Sequence, residues 1–137
     1  MQPLLWDTHA AIWIYGKTPI AQSAIDTLAA AYGEGVASYV SPITAWEVGL
    51  LSARNRIHLT MSPEKWFDKF VSTPGVRLAD MSPSLLIASS FLPGSMHADP
   101  ADRIIAATAR EYDVRIVTRD RKLLAYAQMG FCRALAC

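Results

Sequence analysis

Five short apolar runs recur along the chain without polar alternation: Leu4-Leu5-Trp6, Val36–Val40, Val76–Ala79, Val114–Val117 and Phe131–Leu135. A strand with one face in water alternates apolar and polar residues. Unbroken runs instead suit strands covered on both faces, as in a parallel sheet packed between helices. The intervening segments carry helix-starting signals. Five of the eight prolines follow a capping residue, as Thr18-Pro19, Ser41-Pro42, Ser62-Pro63, Ser82-Pro83 and Asp99-Pro100. The cap's oxygen accepts from an early helical N–H, and proline at the first helical position forfeits no hydrogen bond. Helices are therefore predicted to start near residues 19, 42, 63, 83 and 100. A short one follows Asp7, and another follows Asp120 and stops before Gly130. Strand–helix alternation of this kind defines an α/β fold, a three-layer α/β/α sandwich with a central, mainly parallel sheet of about five strands.

With 137 residues, 52% of them apolar and 18% charged, the chain has material for one buried core and is not a disordered tail. No repeat, low-complexity tract or linker interrupts it, so residues 1–137 are read as a single domain. Apolar stretches such as Ala10–Tyr15 fall far short of the ~18 residues a spanning helix needs. The start, Met1-Gln2-Pro3, lacks the features of a signal peptide, and a cytoplasmic protein with reduced thiols at Cys132 and Cys137 is expected. Net charge is +1, unevenly spread: residues 1–102 hold 6 basic and 9 acidic side chains, residues 103–137 hold 7 and 3. The acidic part offers metal ligands, and the basic part offers contacts for phosphate.

The acids fall where a parallel sheet places ligands, at the carboxyl ends of strands. Asp7 directly follows Leu4-Leu5-Trp6, and Asp120 comes two residues after Thr118, which closes the run Val114–Val117. Glu47 lies about one and a half turns into the helix opened by Ser41-Pro42, among mostly apolar neighbours, on a helix expected to be largely buried. Asp102 is the third helical residue after the Asp99 cap. Each has a plainer use: Asp7 and Asp120 as helix caps, Asp102 reaching back to the Asp99 N–H, Glu47 paired with Arg103. Four carboxylates converging on one pocket are a different matter, because they must be protonated, paired or neutralised by a cation. Without a Cys/His cluster, oxygen ligands point to Mg²⁺ or Mn²⁺.

Four segments carry a family resemblance: Leu5-Trp6-Asp7-Thr8-His9, Ser41-Pro42-Ile43-Thr44-Ala45-Trp46-Glu47, His97-Ala98-Asp99-Pro100-Ala101-Asp102-Arg103-Ile104-Ile105-Ala106-Ala107 and Thr118-Arg119-Asp120-Arg121. Together they resemble the PIN-domain superfamily, and within it the VapC-like toxins of type II toxin–antitoxin pairs, over essentially the whole chain. The resemblance implies a PIN-like sandwich and a Mg²⁺- or Mn²⁺-dependent endoribonuclease of the bacterial or archaeal cytoplasm. It also implies a homodimer, silenced by a cognate VapB-like antitoxin. The family's four acidic positions fall on Asp7, Glu47, Asp102 and Asp120, and its small hydroxyl residue on Thr118. On that reading Asp7, Asp102, Asp120 and Glu47 hold the ion, and metal-activated water hydrolyses the RNA phosphodiester, leaving 5′-phosphate and 3′-hydroxyl ends. Arg103 and Arg119 or Arg121 are candidate phosphate contacts, and Thr118 is a further candidate substrate contact.

Other residues read as structural. Trp13, Trp46 and Trp66 have apolar neighbours and are expected in the core. His9, His58 and His97 lack metal-ligand spacing, and His97 is expected to make a loop hydrogen bond. Two rival readings use the same residues. A PIN-like module could bind RNA or a protein without cutting. A phosphorelay receiver could use Asp80 as acceptor and Thr118 as switch, but the adjacent acids after the first strand and the Lys after the fifth are missing.

Overall fold

A computed structural model describes residues 1–137 and places every apolar run in one sheet. The strands are β1 (Leu4–Trp6), β2 (Ser38–Val40), β3 (Val76–Leu78), β4 (Arg115–Thr118) and β5 (Arg133–Ala136). All pairings are parallel and the order is β3-β2-β1-β4-β5. The chain therefore runs outward from β1 in one direction, returns, and continues on the other side with β4. The order reverses between β1 and β4, where the diverging connections leave a crevice at the carboxyl ends of the strands.

Side chains alternate across the sheet and build two cores. Leu5 and Ile116 face Ile105, Ala106 and Ala109 of α6 (Pro100–Tyr112) and Leu123 and Tyr126 of α7 (Arg121–Gln128). On the opposite face Leu4 and Val117 meet Ala10 of α1 (Thr8–Tyr15) and Ala24 and Ala31 of α2 (Gln22–Gly33). Beside them Trp6 and Val40 pack on Val48 of α3 (Pro42–Ala53) and on Trp66 and Phe70 of α4 (Pro63–Val71). Helix α5 (Pro83–Ala88) lies against α6 through Leu85 and Ile104. The alanine-rich stretch of α6 is fully buried, as close packing on a sheet requires. No helix is long and apolar enough to cross a membrane.

Four of the five cap–proline pairs start helices as predicted: Ser41, Ser62, Ser82 and Asp99 each accept from an early helical N–H. Thr18-Pro19 does not. The Thr18 N–H closes the end of α1 on Trp13 O (2.7 Å), and the Ala21 N–H bonds Cys137 O beyond β5 (2.8 Å). The segment is thus tied to α1 and to the sheet, and α2 starts at Gln22 with no side-chain cap. Helix α3 is also less buried than expected. Thr44 and Val48 face inward, one turn apart, and Trp46 on the other side is 55% exposed. Trp66 is a core residue, stacked on Phe70 at 5.4 Å, whereas Trp13 is only half-buried.

Candidate active site

The crevice between β1 and β4 opens into a cleft of about 420 Å³. Its lining includes the carboxylates of Asp7, Glu47, Asp99, Asp102 and Asp120, with His9, Trp13 and Arg119 along one side. All four acids singled out in the sequence reach this cleft, and none of them is paired with an arginine or lysine.

Asp7 is the first residue beyond β1 and is buried. Its Oδ1 accepts from the Thr8 N–H (2.8 Å) and caps α1, while Oδ2 accepts from the Thr118 hydroxyl (2.7 Å). Thr118, the fully buried last residue of β4, also accepts from the Asp120 N–H (2.9 Å). It is a brace between the two strand ends and is not open to substrate. Asp120 caps α7 with Oδ1, which takes the Lys122 and Leu123 N–H groups at 2.8 and 3.0 Å. Capping and lining the cleft are therefore compatible duties for both residues.

Glu47 does not meet Arg103. Its Oε1 accepts from the Thr8 hydroxyl at 2.5 Å, and Thr8 Oγ1 lies 3.1 Å from Thr44 Oγ1. A hydroxyl has one proton, and that of Thr8 goes to Glu47, so Thr44 donates to Thr8. Asp102 does not close a capping box either: its own N–H donates to Asp99 Oδ1 (3.0 Å), and its carboxylate turns to His97, whose Nε2 is 3.0 Å from Oδ2. The expected loop hydrogen bond of His97 is present, the Asp99 N–H reaching Nδ1 at 3.4 Å.

The electrostatics follow from burial and crowding. Desolvation pushes Asp7 and Glu47 above the ordinary carboxylate range. Asp102 is pushed up to about 8, first by burial and then by the charges of Asp7, Asp120, Asp99 and Glu47. Such a cluster is poised to lose its protons to a positive ion. Ligand atoms of His97, Asp102 and Asp120 lie within 4.8 Å of one another. Asp7 and Glu47 line the same cleft with oxygens turned to Thr8 and Thr118. A mainly carboxylate donor set with uncompensated charge fits a hard divalent cation.

The arginines divide. Arg103, read from the sequence as a phosphate contact, spends its guanidinium on backbone carbonyls: Ser89 (2.8 Å), Met96 (2.9 Å), His97 (3.2 Å) and Ser90 (3.4 Å). It ties both ends of the loop that carries His97. The Tyr126 hydroxyl holds the loop's middle at Pro93 O (2.6 Å), and Gly94, at φ +71°, sits where a Cβ would strike the Phe131 ring. Arg103→Met should therefore lower stability by ~2 kcal/mol, the cost of charge-assisted bonds lost and carbonyls orphaned. Denaturant unfolding checks this, because loss of a surface phosphate contact would move stability by no more than ~0.5 kcal/mol. Arg121 is exposed at the start of α7 and outside the cleft lining. Arg119 lines the cleft, its guanidinium 4.3 Å over the Trp13 ring.

A parallel sheet with acids gathered at its switch point has the ligand-binding layout of open α/β folds, and the sequence model of the PIN domain matches residues 4–129. The chain belongs to the PIN domain family. It is 33% identical to ribonuclease VapC22 of Mycobacterium tuberculosis over 123 residues, 90% of this chain and 91% of that protein. Two solved structures share the fold. The crystal structure of VapBC2 from Rickettsia felis, bound to a promoter DNA fragment, matches with TM-score 0.70 at 15% identity, covering 98% of each chain. DNA-bound VapBC from Salmonella typhimurium matches with TM-score 0.62 at 18% identity, covering 99% of this chain and 98% of that one. The receiver reading falls with this assignment, and Asp80 lies in a separate hollow with Tyr39 and Tyr112.

Proposed function

We propose that this chain is an endoribonuclease dependent on Mg²⁺ or Mn²⁺, the toxin of a VapBC-like pair. The observation that carries the reading is the convergence of Asp7, Glu47, Asp102 and Asp120 on one cleft at the switch point of the sheet. Similarity to a named ribonuclease along nine-tenths of both chains supports the same class of reaction.

Asp102 and Asp120, with Asp7 beside them, would hold the ion, which supplies Lewis acidity toward phosphate oxygen and water. Thr118 fixes Asp7 and the start of α7 together, so two ligands from different strands keep one spacing. Glu47 would serve as the base, a reading supported by Thr8 engaging Oε1 and by burial making the carboxylate more basic than an exposed one. Water's oxygen bonds to phosphorus, its proton passes to Glu47, and the P–O3′ bond breaks with O3′ taking a proton from solvent, leaving 5′-phosphate and 3′-hydroxyl ends. A VapB-like antitoxin and a second copy of the chain are the proposed protein partners. Exposed apolar side chains at Ile87 (64%) and Phe91 (80%) are surface of the kind such contacts cover.

Cleavage of an end-labelled structured RNA pool in Mg²⁺, Mn²⁺ or EDTA, by the native chain and Asp7→Asn, tests the reading. Expected are metal-dependent fragments with 5′-phosphate ends that Asp7→Asn does not produce. Absence of both cleavage and Mn²⁺ binding by calorimetry would favour a non-catalytic module.

A further inference from the structure

The geometry points to a stacking subsite for an unpaired RNA base at the mouth of the acidic cleft, built from His9 and Arg119 gathered around the Trp13 indole. This inference rests on the nuclease reading and adds how the strand is gripped beside the reacting phosphate.

His9 and Trp13 sit one turn apart on α1, so their side chains share a face of the helix. Their ring centroids are 5.7 Å apart with planes tilted by 42°. The Arg119 guanidinium lies 4.3 Å from the Trp13 centroid. It is held there by Nη2, which donates to Cys137 O (2.9 Å) and Pro19 O (3.3 Å), and it forms no salt bridge. Trp13 packs from below on the core of α1 and α2, while His9 and Arg119 are exposed. The result is a cluster of flat groups, with Trp13 partly buried at its base and His9 and Arg119 exposed.

All three residues border the same cleft as the acids. His9 stands two residues after Asp7, at most about 7 Å away along the backbone. A nucleotide whose phosphate is at the acids therefore has its base, or its neighbour's, within reach of this wall. The chemistry suits a base better than other ligands. Imidazole and guanidinium planes stack on any nucleobase without reading its edge, and Arg119 adds the one positive charge on an otherwise acidic cleft lining. A duplex buries its base faces in its own stack, so the subsite selects unpaired segments.

Fluorescence anisotropy of a short labelled single-stranded RNA tests this, with Ca²⁺ in place of Mg²⁺ to fill oxygen sites. Native chain, His9→Ala and His9→Phe are compared after thermal melts establish equal folding. The expected result is a Kd raised about tenfold in His9→Ala and restored within about threefold in His9→Phe. The same RNA annealed into a blunt duplex should bind native chain and His9→Ala alike. Unchanged single-strand affinity in His9→Ala would overturn the subsite while leaving the nuclease reading standing. His9→Phe as weak as His9→Ala would assign the effect to imidazole hydrogen bonding and overturn stacking. If the native chain binds no RNA and cuts none, the nuclease reading fails and the subsite with it.

Discussion

Asp102→Asn is expected to cut RNA cleavage by more than ~100-fold and, in the same protein, to raise the melting temperature in EDTA at pH 7. The first effect follows from removing a charge from the ion's donor set, a larger insult than the ~10–100-fold cost of disturbing an outer-shell partner. The second follows from what the native carboxyl endures without the ion. At pH 7 an unfolded aspartate is ionised, whereas folded Asp102, pushed up to about 8, must hold a proton taken from solution. Asparagine keeps the size and is neutral in both states, so that cost disappears. The cap of α6 survives, since it runs from the Asp102 backbone N–H to Asp99 Oδ1 and not through the Asp102 side chain. The amide also keeps a polar group beside His97 Nε2, which lies 3.0 Å from Oδ2 and has no hydrogen-bond partner of its own. Each ~1 kcal/mol gained moves Tm by about 3–5 °C in a domain of this size. Activity assays beside melts in EDTA decide the matter. A variant that loses activity and also melts lower at pH 7 would show Asp102 to be a structural residue, and one that still turns over would remove it from the ion's donor set.

The acids were legible in the sequence because their positions are local: Asp7 and Asp120 sit within two residues of a strand end, and parallel strands put those ends on one edge. The helix starts were legible for the same reason, since a cap bonds within three residues. What escaped depends on contacts far along the chain. Thr8 braces Glu47 across 39 residues, and Thr118 braces Asp7 across 111. No pattern within a helix or strand encodes those pairings. From sequence Arg103 is a candidate phosphate contact, yet the loop from Ser89 to His97 folds back over it and takes its donors. Trp13 was assigned to the core because its neighbours are apolar. Its indole does pack on the core, and its exposed surroundings, His9 and Arg119, come together only when α1 is laid beside the end of β4. Thr18-Pro19 misled for the complementary reason: the local cap signal lost to bonds with the end of α1 and with Cys137 O.

Without divalent cations, Tm should fall as pH rises from about 4 toward about 8, and saturating Mg²⁺ or Mn²⁺ should reverse the trend. Between the ordinary carboxylate pKa of ~4 and the folded value of about 8, native Asp102 keeps a proton that the unfolded chain has released. The folded state binds more protons across that window. Unfolding free energy therefore falls with pH by up to ~1.4 kcal/mol per unit for each proton so held. Asp7 and Glu47, both raised by burial, add to the slope from the low end of the window. Asp99 and Asp120 face the same group as negative charges, while His9 beside Asp7 and Arg119 in the cleft lining are the basic side chains that oppose them. Above about 8 the folded carboxyl ionises as well and the slope flattens. A divalent cation favours the ionised form, so its binding releases protons and tightens as pH rises. At a hundred times Kd it adds ~2.7 kcal/mol to folding, or about 8–13 °C in Tm. Melts at unit steps of pH, in EDTA and in Mg²⁺, give both curves, and Asp102→Asn should make the EDTA slope shallower, with Asp7 and Glu47 carrying what remains. A cation-free Tm that stayed level or rose between pH 5 and 8 would mean that the acids are already compensated in the fold. The cleft would then have no need of an ion.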